Sequence, residues 1–384
     1  MTSLSGSAPL RSDRSLLSEW RRTVDWPILA AAFILIGLGL LLSLAAGPAA
    51  AMREGYSDPA FFTRRHALFA AAGAVTLIGS SLLDRDWARR FAALVFFGAF
   101  ALMAFILVFG HEAKGAQRWL RIAGFSLQPS EFIKPALILL TGWLLAQRNL
   151  FPDGPWAPVA FAFFIATLGL LLLQPDVGQS ALLGMAFVIT FFVAGTPWRW
   201  IASFCGGGIA LITALYATLP HVRLRVNAFF NPTAYDTYQI DKASEAIARG
   251  GLMGAGPGEG AVKMRLPDAH TDFIFSVLSE EYGLVAALAL IGVLAFITLR
   301  GLHLAADIED SYPRAAAVGL FSLFGLQAAI NIAVNVSLIP PKGMTLPFVS
   351  YGGSSMLGIA LTLGLALALI RRPGAYRRGY LRHG

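Results

Sequence analysis

Apolar residues in this chain come in long unbroken runs separated by short polar stretches. The runs fall near residues 27–47, 66–83, 91–110, 131–147, 157–174, 177–195, 200–219, 273–299, 315–339 and 350–370, about ten in all. Runs of about eighteen residues with few charges are long enough to cross a bilayer as helices. They lack the alternation of a barrel strand, and in lipid each backbone N–H and C=O must be satisfied within its own segment. The expected fold class is therefore an all-α polytopic membrane protein of about ten transmembrane helices, with both termini on one side. Composition agrees: 56% of residues are hydrophobic and 14% charged, against about 25% charged in soluble domains.

Charge fixes the orientation. Residues 1–26 are polar and carry Arg11, Arg14, Arg21 and Arg22, with no small-residue cleavage site before the first run. They read as a cytoplasmic N-terminal tail rather than a cleaved signal. Residues 372–384 form a second basic tail, so the tails mark the cytoplasmic side and 27–371 the membrane domain. The outer loops are also basic, with Lys114, Arg118, Arg121, Arg223, Arg225, Lys242, Arg249, Lys263, Arg265 and Lys342. One reading is scatter. The other is that the outer face binds a polyanion, such as a lipid pyrophosphate or a negatively charged partner. The net charge of +8 would suggest nucleic acid in a soluble domain, but this distribution gives no nucleic-acid reading. The single cysteine, Cys205, excludes an internal disulfide or thiolate cluster and reads as a small packing residue.

Residues 220–271 form the one long connection, expected outside the membrane, and loops of that length are usually functional or disordered. Tyr238 to Arg249 has a helical apolar period at Ile240, Ala243, Ile247 and Ala248, which predicts an amphipathic helix on the membrane surface. Within KGAQRWLRIAGFSLQPSEFIKPALILL, Trp119 between Arg118 and Arg121 is either an interfacial anchor or part of a site. Pro129-Ser130-Glu131 predicts a helix start, with Glu131 and Lys134 on one face. An ion pair entering the bilayer is costly unless it faces the bundle interior or a watered cavity. Gln174–Gly178 reads as a tight turn carrying Asp176. Gln327, Asn331 and Asn335 form an amide stripe, most simply glue between helices. The stretch from Lys342 to Ser355, with Ser350, predicts an irregular entry into the last span; its backbone N–H groups suit an anion.

Residues Gly250 to Gly283 combine a glycine-rich loop, Lys263 and Arg265, the polar run Asp268 to Asp272 with His270, and then apolar sequence with Glu280 and Glu281. No Gly-Lys-Ser/Thr follows the glycines, so this is not a P-loop, and no βαβ setting supports a dinucleotide. For Asp272 the plain reading is a helix-entry carboxylate. Asp272 and Glu280 are eight residues apart, ~12 Å along a helix, beyond the roughly 5–9.5 Å of a glycosidase pair.

Taken together, GAQRW, FSLQPSEFIK, QPDVGQS, LPDAHTDFIFSVLSEEYG and KGMTLPFVSYGGSSML resemble the signature blocks of the SEDS family (shape, elongation, division, sporulation) along nearly the whole chain, and its division branch more than its elongation branch. Asp268 stands where glutamate is commoner, and Gln179 where threonine is common. The resemblance implies a ten-helix fold and a peptidoglycan glycosyltransferase that polymerises lipid II into a nascent glycan strand on the outer face of the cytoplasmic (inner) membrane, at the division septum. It implies a class B penicillin-binding protein, other divisome membrane proteins and membrane lipid as partners, and it carries the family's essential aspartate over to Asp272. On this reading Asp272 is a general base, or a ligand of a divalent cation (Mg or Mn). Arg118, Trp119, Glu131, Lys134, Lys263, Arg265, His270, Lys342 and Ser350 are the candidates for holding substrate. A lipid II flippase and a non-catalytic scaffold of the division complex are the competing classes.

Overall fold

A computed structural model describes residues 16–109, 111–113, 116–122, 125–231, 237–341 and 343–371. A short helix α1 (Leu16–Thr23) precedes α2 (Trp26–Arg53), α3 (Phe61–Ser81) and α4 (Arg85–Phe109). Three short strands follow, β1 (His111–Ala113), β2 (Ala116–Ile122) and β3 (Phe125–Leu127). Then come α5 (Ser130–Ala146), α6 (Trp156–Leu173), α7 (Val177–Val193), α8 (Trp198–Thr218), α9 (Pro220–Phe230), α10 (Tyr238–Gly250), α11 (Ile274–Ala306), α12 (Ser311–Asn335) and α13 (Gly353–Ile370).

The ten expected spans correspond to α2–α8 and α11–α13. Seven of these combine a length of 18 residues or more with high mean hydropathy: α2, α4, α6, α8, α11, α12 and α13. Helix α3 is long enough but carries Arg64, Arg65 and His66 in its first two turns, and α5 and α7 are 17 residues each. Several helices outrun their apolar stretch. Helix α4 begins at Arg85 rather than near 91 because RDWARR is polar yet helical, with Asp84 Oδ1 accepting from the Trp87 N–H (2.8 Å).

The core lies among α12, α13 and α5, which pack on one another, with α3 packed on α13. The most apolar stretch of α13 is 83% buried and that of α8 not at all, so α13 is a central helix and α8 a peripheral one, resting on α7 and α9. Cys205 on α8 is exposed, contrary to the expectation of a packing residue.

Two further expectations change. The 111–127 stretch is a three-stranded antiparallel sheet in the order β1-β2-β3, with Leu120 opposite Leu127 and Ile122 opposite Phe125. The pattern Gln-Arg-Trp-Leu-Arg-Ile has no helical period, so pairing is its way to satisfy the backbone. The 220–271 connection is not a loop but carries α9 and α10. Helix α10 forms as predicted, but it buries Ala243, Ala246 and Gly250 and packs on α11. The expected face is therefore rotated: Ala248 is exposed, and small residues instead let the two helices approach closely.

At one end of the bundle lie α1 and the start of α2, where Arg300 makes two hydrogen bonds to Asp25 (2.9 and 2.8 Å) and Arg371 donates to the Ser81 carbonyl (2.8 Å). The sheet, α10 and the segments before α11 and α13 gather at the other end, around a cavity.

Candidate functional site

The glycine-rich loop is a splice into α11 rather than an anion cradle. Gly283 breaks α11 with φ 76° and ψ −175°. Backbone groups freed by the break bond to the loop: Ala255 and Gly256 donate to the Glu280 and Glu281 carbonyls (2.9 and 3.1 Å), and Leu284 donates to Gly251 (2.9 Å). Gly254 has φ 86°, and a Cβ there would lie 2.1 Å from the Glu281 carbonyl oxygen. Gly254→Ala therefore combines a left-handed conformation costing about 1–2 kcal/mol with a backbone clash. We expect it to lower the melting temperature of the purified protein by several degrees; an unchanged melt would show that the loop is not packed this way.

Glu280 and Glu281 close this splice. Glu280 is fully buried and accepts from the Val262 and Lys263 N–H groups (2.8 and 3.0 Å). Lys263, also buried, pairs with Glu281 and donates to the Gly258 carbonyl (3.1 Å). Its ammonium is thus spent on the fold, away from the cavity wall. Arg265 is exposed and not on that wall either. Arg53, at the end of α2, caps the same turn with bonds to the Leu266 and Met264 carbonyls (2.6 and 2.8 Å).

From this base the chain makes one strained turn. Asp268 has φ 52°, a conformation that Asp tolerates better than most residues. Its carbonyl accepts from the N–H groups of Thr271 and Asp272 (both 3.1 Å). The amide stripe then fixes the outcome. Asn331 and Asn335 each donate to the Asp272 carbonyl at 2.9 Å, and Asn331 also holds the Met344 carbonyl (2.6 Å). Asn335 Oδ1 accepts from Ser276 N (3.1 Å) and Oγ (2.8 Å). The stripe is glue, as its spacing suggested, but what it glues is the turn bearing Asp272. The Asp272 carboxylate faces the 343–352 segment, since a Cβ on Gly343 would sit 3.7 Å from Oδ2. Lys342 lies outside the described residues. Ser350 accepts from the Leu346 N–H (2.7 Å) and is buried off the cavity, shaping the irregular segment.

The cavity has a volume of about 760 Å³, and its wall includes Asp272, His270, Arg118, Trp119 and Glu131, five of the expected site residues. That size suits a small-molecule site. Glu131 and Lys134 are buried and paired at 2.9 Å. Gln179 closes them into a ring, accepting from Lys134 Nζ (2.6 Å) and donating to Glu131 (2.9 Å). Asp176, not singled out from the sequence as a site residue, caps α7 and joins the wall. Gln128 Nε2 donates to it at 3.2 Å and Arg118 pairs with it at 3.3 Å. Burial pushes the Asp176 carboxyl above the ordinary carboxylate range, and Arg118 pulls it back. Arg118 Nε is buried with no hydrogen-bond partner among the described residues. No group of three or more His, Cys, Asp or Glu suited to a metal occurs among the described residues. A divalent cation at Asp272 would therefore need substrate oxygens as its other ligands, a common arrangement for magnesium.

The family model for the cell cycle proteins FtsW, RodA and SpoVE matches residues 26–373. A Caulobacter vibrioides protein named probable peptidoglycan glycosyltransferase FtsW is 49% identical, over 98% of this chain and 97% of its own length. A Trichlorobacter lovleyi protein of the same name is 36% identical, over 89% and 92%. Thermus thermophilus RodA superposes with a TM-score of 0.66 at 27% identity, covering 90% of this chain and 96% of that one. A chain from a peptidoglycan synthase complex, described as coordinating polymerization and crosslinking, reaches a TM-score of 0.74 at 26% identity, over 90% and 97%. With the model spanning every membrane helix and relatives matched end to end, this multi-pass membrane protein belongs to the SEDS family of FtsW, RodA and SpoVE.

Proposed function

We propose that the chain is a division-type peptidoglycan glycosyltransferase that polymerises lipid II on the outer face of the cytoplasmic membrane, at the septum. The observation that carries this is one cavity, at the end of the bundle away from Asp25 and Arg371, lined by Asp272 on a pinned turn and by Arg118. In the reaction the 4-hydroxyl oxygen of an acceptor GlcNAc bonds to C1 of a donor MurNAc. The C1–O bond to the lipid pyrophosphate breaks, its electron pair leaves with the pyrophosphate, and C1 inverts from α to β. Asp272 takes the hydroxyl proton as general base. The leaving group needs stabilised charge rather than a proton, and Arg118 supplies it. Lys134 shares no direct part in this, being held by Glu131 and Gln179; the pair shapes the wall on which Glu131 stands.

A class B penicillin-binding protein is the expected crosslinking partner, in keeping with the synthase complex whose chain superposes on this one. The test is the purified protein, with that partner, incubated with lipid II. Glycan strands of many repeats are expected. Translocation of labelled lipid II across proteoliposomes without strand formation would favour the flippase. Neither activity, with partner binding retained, would favour the scaffold.

A further inference from the structure

The cavity wall has two chemically distinct parts, built from different elements. Arg118, Glu131, Asp176 and Gln179 come from β2, α5 and the start of α7. Tyr56, Phe62, Phe69 and Tyr351 come from the α2–α3 connection, α3 and the segment before α13. Within the second part Tyr56, Phe62 and Tyr351 form a continuous ring cluster with His270, and the Phe69 ring lies over Gly353 beside it. Phe62 lies 5.6 Å from Tyr56, 5.2 Å from Tyr351 and 4.5 Å from His270, and His270 lies 5.3 Å from Tyr351. Phe62 and His270 are buried beneath, whereas Tyr56, Phe69 and Tyr351 keep accessible ring surface. Gly352 and Gly353 follow Tyr351 on the wall and carry no side chain to cover it.

A phosphate laid on these ring faces would lose water and gain only the phenol hydroxyls and Arg65 at the rim. The C–H face of a pyranose suits it: the sugar buries apolar surface on the rings while its hydroxyls reach the polar rim at Glu54 and Arg65. We infer that Tyr351, Phe69 and Tyr56 form a subsite for the acceptor sugar, apart from the pyrophosphate of the donor at Arg118. This rests on the glycosyltransferase reading. The assignment to acceptor follows from the backbone: the Tyr351 N–H donates to the His270 carbonyl at 2.9 Å, two residues before Asp272. The ring wall and the base that takes the acceptor's proton are thus joined, whereas Arg118, the cation assigned to the leaving group, sits on the other part.

The test is equilibrium binding to the full-length protein in detergent, with two probes. One is a soluble tetrasaccharide of alternating GlcNAc and MurNAc, free of lipid and pyrophosphate; the other is inorganic pyrophosphate. Tyr351→Ala and Phe69→Ala, checked for an unchanged melting temperature, should each bind the tetrasaccharide about tenfold more weakly, the scale of one aromatic contact, with pyrophosphate binding intact. Tyr351→Phe should bind as the parent does. Arg118→Gln should reverse the pattern, and Asp272→Asn should bind both probes. The subsite is overturned if the parent shows no saturable tetrasaccharide binding, or if that binding ignores both ring variants. If strands still form from lipid II in that case, the glycosyltransferase reading stands without this subsite. If ring-dependent tetrasaccharide binding occurs in a protein that makes no strands, the activity falls and a glycan-binding wall remains.

Discussion

Asp272→Asn is expected to reduce lipid II polymerisation by at least about 10²–10⁴-fold, the usual contribution of a positioned general base. The fold should survive the change. The bonds from Asn331 and Asn335 end on the Asp272 backbone oxygen, which asparagine keeps, and the Asp268 turn is likewise made by backbone groups. Protein yield, melting temperature and partner binding should therefore match the parent while strand synthesis is lost. Polymerisation at the parent rate would remove Asp272 both as base and as cation ligand. A large drop in melting temperature would instead make it a structural residue, and the loss of activity would then carry no mechanistic weight.

Lys134→Met is expected to destabilise the protein by about 3–5 kcal/mol, because it strands the buried Glu131 carboxylate with one amide partner, Gln179. Replacing both charges tests the cause. In Glu131→Gln combined with Lys134→Met no buried charge remains, so most of the lost stability should return, a large non-additivity between two touching residues. Thermal melts of the four proteins in detergent measure the cycle. Additive losses would mean that the pair is not coupled as its 2.9 Å contact requires.

How much of the site was legible depended on how local each signal was. Glu131 and Lys134 stand three apart at a helix start, and the ion pair follows from helical spacing alone. Gln179, which completes that ring, is 45 residues beyond Lys134 in sequence; nothing local marks it except its position beside the Asp176 turn. Asp176 was visible as a turn carboxylate but not as a partner of Arg118, because that contact depends on β2, and short strands in a helical protein leave little pattern. Lys263 shows the opposite failure. Its place among outer-loop cations suggested a substrate contact, yet the nearest buried charge is Glu281, and pairing there offsets the burial of both. The glycines of 250–260 fitted no phosphate-binding motif; their role is set by the approach of the loop to the broken helix at Gly283.

Taken by itself, the sequence determined the membrane class, the ten spans, the amphipathic helix after Tyr238 and the family, with Asp272 carried over through that family. These depend on hydrophobic period and contiguous motifs, which survive without knowledge of neighbours. Only the tertiary structure decided that Lys263 is held by the buried Glu281 while Arg118, paired with Asp176, stands on the cavity wall, that the amide stripe of α12 grips the Asp272 turn, and that aromatic and charged walls share one cavity. Each of those facts is a pairing between residues tens to hundreds of positions apart, and such pairings are set by helix packing, which no local pattern encodes.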